Sequence, residues 1–337
     1  MQKLSLITLA SLALLFSGCS GKKYFEPVKP LSASGASSSY GGSIVDLRRD
    51  GATLKGGKYV GKDGVSSINL GEGYRFLSES PRYVLAANTE GVLNIIDKKT
   101  QESHRAVSLH TPVVSATIKN GLVAYILNNN AFGLYQIANN KKIVESRSEK
   151  AYAIDTRAAS PMFVDNLVVM PMLDGKIIIV DTKNTDNAKV VYVSSAKAFN
   201  NIIHLSRRGN TMIAATPTKL ITLGTAGKVE YNANISEIAV DTQRIYLFTK
   251  EGKITALDKS LKQVAQTQYR YAHYAAAVAQ NARVYALDQK GSLIVMNTGL
   301  DRQKVYELGE VKEPAFITGT KLYKDGKIID LSKLGYE

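Results

Sequence analysis

Apolar and polar residues alternate along most of the chain, in short segments separated by tight turns. Clear copies of this pattern span residues 83–97, 167–181, 245–258 and 284–297. In each copy, two alternating segments rich in β-branched and aromatic residues flank a turn that usually ends in glycine. The pattern therefore predicts a series of β-hairpins.

The turn glycines define a repeat. Its markers recur about every 39 residues, which is typical of β-propeller blades. Helical solenoids of similar period are disfavoured, since no copy shows 3.6-residue apolar spacing over even three turns. The markers are Gly91, Gly133, Gly175, Gly252, Gly291 and Gly326, and Lys219 replaces glycine in a further copy.

Each hairpin has one more predicted strand on either side. Segments rich in small residues, such as 113–117 and 275–279, precede the hairpins and suit an innermost strand. Segments such as 190–193 and 304–308 follow them. Four strands form a blade, so we expect an all-β fold in which residues 43–337 build one propeller domain of four-stranded blades.

The two ends of the repeat bear on the number of blades. Only 11 residues follow Gly326, so the last blade lacks its outer strand. The 48 residues from 43 to 90 are about twice what the first half-blade needs. We expect the surplus, at 43–47 or 64–70, to supply an N-terminal strand that closes the ring and removes an exposed sheet edge. Seven blades are favoured, and eight is the close alternative.

The N-terminus carries a short apolar segment that ends near the single cysteine. Residues 4–16 are too few to span a bilayer, which takes about 20 residues, but they suit the core of a signal peptide. Small residues precede Cys19, which resembles a bacterial lipoprotein signal, although Phe16 stands where leucine is usual. The resemblance implies a signal peptide over 1–18 and lipidation of Cys19. Ser20 then implies sorting to the periplasmic side of the outer membrane.

The segment after Cys19 is rich in serine and glycine. Residues 19–42 are therefore predicted to form a flexible tether, with a root-mean-square reach of roughly 26 Å. We expect contact with the membrane through the lipid anchor only.

Composition excludes several classes of protein. One cysteine permits no internal disulfide or cysteine-based zinc site, and the four histidines have no metal-binding spacing. The chain also lacks the Gly-x-Ser-x-Gly nucleophile motif and phosphate-binding glycine loops. We therefore expect no cofactor, no metal and no enzymatic activity, with a propeller lyase or lactonase as the alternative.

The repeated unit of Val-Tyr, turn, Gly, apolar residues and Asp resembles the PQQ-like repeats of quinoprotein-type propellers, over residues 43–335. Among these it is similar to the BamB-like outer-membrane lipoproteins. Quinoprotein repeats carry a tryptophan after a Thr-Gly step, whereas this chain has Thr298-Gly299 and no tryptophan, which argues against a quinone cofactor. The resemblance implies a non-catalytic scaffold that docks an envelope protein complex, with the β-barrel assembly machinery as the candidate partner.

Acidic residues recur where the third strand of a unit ends. They are Asp97, Asp181, Asp258 and Asp330. Their repetition at one structural position predicts turn-forming side chains rather than catalytic groups.

Basic residues gather in the turn between the third and fourth strands. The formal charge is +14, or +13 once Lys3 is removed with the signal. These turns share one face of a propeller, which predicts a basic ring able to contact anionic peptidoglycan or lipopolysaccharide. Ordinary solvated lysines are the competing interpretation, and no nucleic-acid partner is expected in this compartment. The candidates are Lys98, Lys99, Lys141, Lys142, Lys183, Lys259, Lys262, Arg302 and Lys304.

A cluster of aromatic and basic residues precedes one inner strand. It falls on a blade-to-blade loop of the opposite face, and this composition suits a protein-binding site. The alternative is that its tyrosines pack between blades. The candidates are Tyr269, Arg270, Tyr271, His273 and Tyr274.

Overall fold

The computed structural model describes residues 23–151 and 154–337. The predicted signal peptide and Cys19 lie outside the described residues. Strands make up most of the regular structure, with two short 3-10 helices at Ser34–Ala36 and Leu331–Lys333. Within the described ranges, no helix is long and apolar enough to cross a membrane.

Two N-terminal strands precede the first complete blade: β1 (Leu31–Ser32) and β2 (Ser37–Ser39). Blade 1 consists of β3 (Ile44–Leu47), β4 (Ala52–Leu54), β5 (Tyr59–Gly61) and β6 (Gly64–Val65). Blade 2 consists of β7 (Arg75–Glu79), β8 (Tyr83–Ala87), β9 (Val92–Asp97) and β10 (Ser103–Ser108). Blade 3 consists of β11 (Val113–Lys119), β12 (Leu122–Leu127), β13 (Ala131–Gln136) and β14 (Lys141–Arg147). Blade 4 consists of β15 (Met162–Val164), β16 (Leu167–Pro171), β17 (Lys176–Asp181) and β18 (Ala188–Tyr192).

The second half of the chain repeats this plan. Blade 5 consists of β19 (His204–Arg208), β20 (Thr211–Ala215), β21 (Lys219–Gly224) and β22 (Gly227–Asn232). Blade 6 consists of β23 (Ile235–Val240), β24 (Ile245–Thr249), β25 (Lys253–Leu257) and β26 (Gln263–Gln268). Blade 7 consists of β27 (Tyr274–Gln280), β28 (Arg283–Asp288), β29 (Ser292–Asn297) and β30 (Gln303–Glu307). Blade 8 begins with β31 (Phe316–Thr318), β32 (Lys321–Lys324) and β33 (Lys327–Asp330).

The predicted propeller of four-stranded blades is confirmed, and it has eight blades rather than the favoured seven. The additional blade is blade 1, whose strands hold only two to four residues and whose turn at Gly56-Gly57 precedes the first marker. Two of the markers are misplaced. Gly133 lies inside β13 and Lys219 begins β21.

The ring closes through an earlier segment than predicted. Strand β2 pairs antiparallel with β33 and becomes the outer strand of blade 8, while 43–47 and 64–70 fall in or next to blade 1. Strand β1 adds a parallel edge to β30 of blade 7. Buried Ala33 and Ala36 fix this segment because they pack with Leu331 and Leu334. The second half of the predicted tether is therefore part of the propeller.

The hydrophobic core is divided into layers between blades. Each neighbouring pair of blades in the described chain shares one cluster of buried residues, including blades 8 and 1, where Ile44 and Val60 meet Tyr323. First strands of neighbouring blades touch, as β7 touches β11 and β23 touches β27. The small-residue segments are thus the innermost strands, as predicted.

The common strand order gives the propeller two distinct faces. The hairpin face carries the turns between second and third strands and the blade-to-blade loops, and the turn face carries the other turns. On the turn face, Oδ1 of Asp97, Asp181 and Asp258 accepts the backbone N–H two residues later, at 2.8, 2.9 and 2.8 Å. Asp330 does the same at 3.0 Å. The prediction of turn-forming acids is confirmed.

Candidate functional site

The aromatic loop between blades 6 and 7 is only partly accessible. Tyr269 and Tyr274 are 5% and 4% exposed, and the Tyr274 hydroxyl donates to the Gly252 carbonyl at 2.8 Å. Burial raises the pKa of Tyr269 to about 12. These two tyrosines pack between the blades. Of the five residues predicted to bind a protein partner, Arg270, Tyr271 and His273 are exposed.

The N-terminal segment of the chain covers part of this same loop. The ring of Phe25 packs edge-on against Tyr269 at 5.4 Å between centroids. Lys23 Nζ lies 5.7 Å from the centre of the Tyr271 ring, and Lys290 Nζ lies 4.2 Å from that of Tyr24. A groove of about 520 Å³ runs between residues 24–28 and 268–271. The aromatic pair within an otherwise serine- and glycine-rich tether is the sequence signal for this packing.

The sequence pattern does not indicate an exposed apolar surface that the fold forms on blade 4. Val190 and Tyr192, on one face of the outer strand β18, are 50% and 56% exposed, and Phe199 in the following loop is 57% exposed. We call these three residues the blade-4 patch. Tyr192 lines a groove of about 540 Å³ with loop residues 194–198. Phe199 has a φ of 48°, in the left-handed region that is strained for a bulky residue.

Charged side chains cross the central channel. Glu237 Oε2 accepts from Arg49 Nη1 at 2.9 Å, although the two residues lie on blades 6 and 1. Glu237 Oε1 lies 3.5 Å from Arg157 Nη1, and Arg157 Nε also donates to Asp155 at 2.7 Å. Burial opposes the charge of Asp155, but the bonds and charge of Arg157 lower its pKa overall. These pairs brace the inside of the ring.

Cavities of about 620 and 910 Å³ lie along this channel, and Glu237 lines the larger one. His204 lines the smaller cavity. Burial, followed by the charges of Arg49 and Arg208, lowers its pKa to about 3, so it is neutral at physiological pH. In residues 23–151 and 154–337, no three His, Cys, Asp or Glu side chains form a group that could hold a metal ion.

The predicted basic residues do lie on or beside the turn face, but part of their charge is compensated. Lys98 pairs with Glu79, and Lys142 Nζ lies 3.1 Å from Glu145. Arg302 stacks over the Tyr336 ring at 5.0 Å, and Lys304 is half-buried. The remaining members are exposed and have no ion pair within the described part of the chain: Lys99, Lys141, Lys183, Lys259 and Lys262.

Comparisons with known proteins agree with this fold. The chain is 29% and 28% identical to the plasminogen-binding protein PgbB of Helicobacter pylori strains J99 and 26695, over an alignment 385 positions long that covers 100% of this chain and 70% of each relative. No protein-family profile matches the chain.

Solved structures share the architecture at lower identity. BamB from Moraxella catarrhalis superposes with a TM-score of 0.67 at 16% identity, covering 87% of this chain and 97% of that one. The designed protein Ika8 gives 0.64 at 10% identity with the same coverage, and Saccharomyces cerevisiae Sqt1 gives 0.63 at 12%, covering 87% and 96%. These likenesses show the fold alone. The chain is an eight-bladed propeller with a BamB-like fold.

Proposed function

We propose that this protein is a non-catalytic, lipid-anchored propeller that docks a protein partner. The observation that carries the proposal is the exposed blade-4 patch, because large apolar side chains beside a groove are typical of protein contacts. The similarity to proteins named for binding plasminogen supports a binding function. Plasminogen is therefore the first partner to test, and the β-barrel assembly machinery is the second.

The aromatic residues of the blade-4 patch should dominate the binding energy. Replacing Tyr192 or Phe199 by alanine is expected to weaken partner binding about 30-fold, equivalent to about 2 kcal/mol, since aromatic anchors are the usual hot spots. Surface plasmon resonance with immobilised plasminogen measures this directly.

Leu167→Ala is the matched control. Leu167 is an apolar residue that is 38% exposed, and it lies beside the first turn of blade 4, on the turn face of the propeller. It should bind plasminogen as the unchanged protein does. If the unchanged protein binds plasminogen and all three variants bind equally well, the blade-4 patch is not the docking surface.

The lipid anchor is tested by removing its attachment point. Cys19→Ser should release the protein from the outer-membrane fraction into the soluble fraction, because the acyl chains provide the lasting membrane attachment. Immunoblotting of separated envelope fractions measures the change. Unaltered outer-membrane association of Cys19→Ser would rule out this anchor.

A further inference from the structure

The start of the described chain is held at one place on the propeller. Strands β1 and β2 fix residues 31–39 to blades 7 and 8, and Lys23 and Tyr24 lie against Tyr271 and Lys290 on the hairpin face. From Cys19 to Lys23 the chain can extend at most about 14 Å. A lipid at Cys19 would therefore keep this part of the hairpin face near the bilayer, without the long flexible reach expected from sequence.

The surface beside this point has the composition of a lipid-contacting patch. Tyr24, Val28 and Tyr271 are 40%, 89% and 45% exposed. Lys23 and Arg270 are exposed and have no carboxylate partner among the described residues. We call these five residues the rim patch.

The charges and rings of the rim patch fit a lipid headgroup region. Tyrosine rings favour the membrane–water interface, and each lysine or arginine near an anionic surface contributes about 1 kcal/mol. Glu26 is the acidic residue of the same groove, and the neighbouring Lys290 is paired with Glu310 at 2.6 Å. The net charge around this groove is therefore positive only because of Lys23 and Arg270. Substitution of these two residues should have the largest effect on contact with an anionic lipid surface.

We propose that the rim patch rests on the lipid surface and orients the propeller, with the hairpin face at blade 7 next to the bilayer. The acyl chains provide the attachment and the rim patch sets the orientation, so this inference rests on the proposed lipid anchor. The turn-face lysines then point away from the membrane. Blade 4 lies three blades away around the ring of eight, which leaves the blade-4 patch free for a protein.

Depth-dependent quenching tests the orientation. The full chain, expressed with its signal segment in a bacterium that processes lipoproteins, is purified in detergent and reconstituted into phosphatidylethanolamine–phosphatidylglycerol vesicles that contain brominated lipids. Because the proposed lipid blocks the thiol of Cys19, the only cysteine of the sequence, an engineered cysteine takes the fluorescent label alone. The probe is placed at Val28→Cys and, as the control, at Lys183→Cys on the turn face.

Quenching at position 28 should exceed that at position 183 at least threefold. Adding Lys23→Glu with Arg270→Glu should reduce it to the level of position 183. Equal quenching at both positions in protein that floats with the vesicles overturns the orientation but leaves the anchor intact. Protein that does not float with the vesicles overturns the anchor, and the orientation with it.

Discussion

Replacing Gly291 by alanine is expected to lower the free energy of unfolding by about 3–5 kcal/mol, from a strained backbone and from overpacking. Gly291 has a φ of 92°, and an added Cβ would overlap the carbonyl oxygen of Gly309. The blade-to-blade loop cannot simply move away, since the Leu308 N–H donates to the Gly291 carbonyl at 2.9 Å. Urea denaturation followed by circular dichroism measures the loss.

Gly121→Ala separates the two causes of this loss. Gly121 has a φ of 74°, but an added Cβ there has no atom within 4 Å, so only the backbone cost of about 1 kcal/mol remains. Similar losses of unfolding free energy in both variants would contradict the close approach between the β28–β29 turn and the loop that joins blades 7 and 8.

Replacing Glu237 by glutamine is expected to destabilise the protein by about 2–4 kcal/mol. Glu237 is the one acceptor for the Arg49 guanidinium among the described residues, and two nitrogens of Arg49 are already buried without a partner. The variant leaves Arg49 and Arg157 without this shared carboxylate. Removing one member of a buried pair costs about 3–5 kcal/mol, and the partial exposure of both arginines reduces that figure.

Glu230→Gln is the matched control for Glu237→Gln. Glu230 also bridges two cations, with Lys219 at 2.7 Å and Lys228 at 2.6 Å, but on the exposed outer strand β22. The free energy of unfolding should be nearly unchanged, because solvent screens surface ion pairs. Equal losses in the two variants, measured by urea denaturation, would show that the channel network does not brace the ring.

The regular blades were predictable because their determinants are local. The hairpin of residues 83–97 shows its alternation, its turn and its terminal Asp97 within one short window. Blade 1 does not show the repeat pattern in its sequence, because strands such as β5 (Tyr59–Gly61) are too short to show alternation of apolar and polar residues. The closing strand β2 consists of three serines, which carry no apolar pattern, and its pairing rests on backbone hydrogen bonds with β33.

The functional surfaces were less predictable, because exposure is a property of the assembled fold. Tyr192 and Tyr274 both occur in strand-like sequence, yet Tyr192 lies on an outer strand and is exposed while Tyr274 begins an inner strand and is buried. The Arg49–Glu237 pair joins residues 188 positions apart, so no local motif could indicate it.

Site-specific photo-cross-linking in intact cells tests whether the blade-4 patch docks a protein. A photoreactive amino acid replaces Tyr192, and the control position is Lys183 on the turn face. We expect a defined protein adduct at 192 that is absent at 183 and is lost when Phe199→Ala is added. The same adducts at both positions, unaffected by Phe199→Ala, would contradict it.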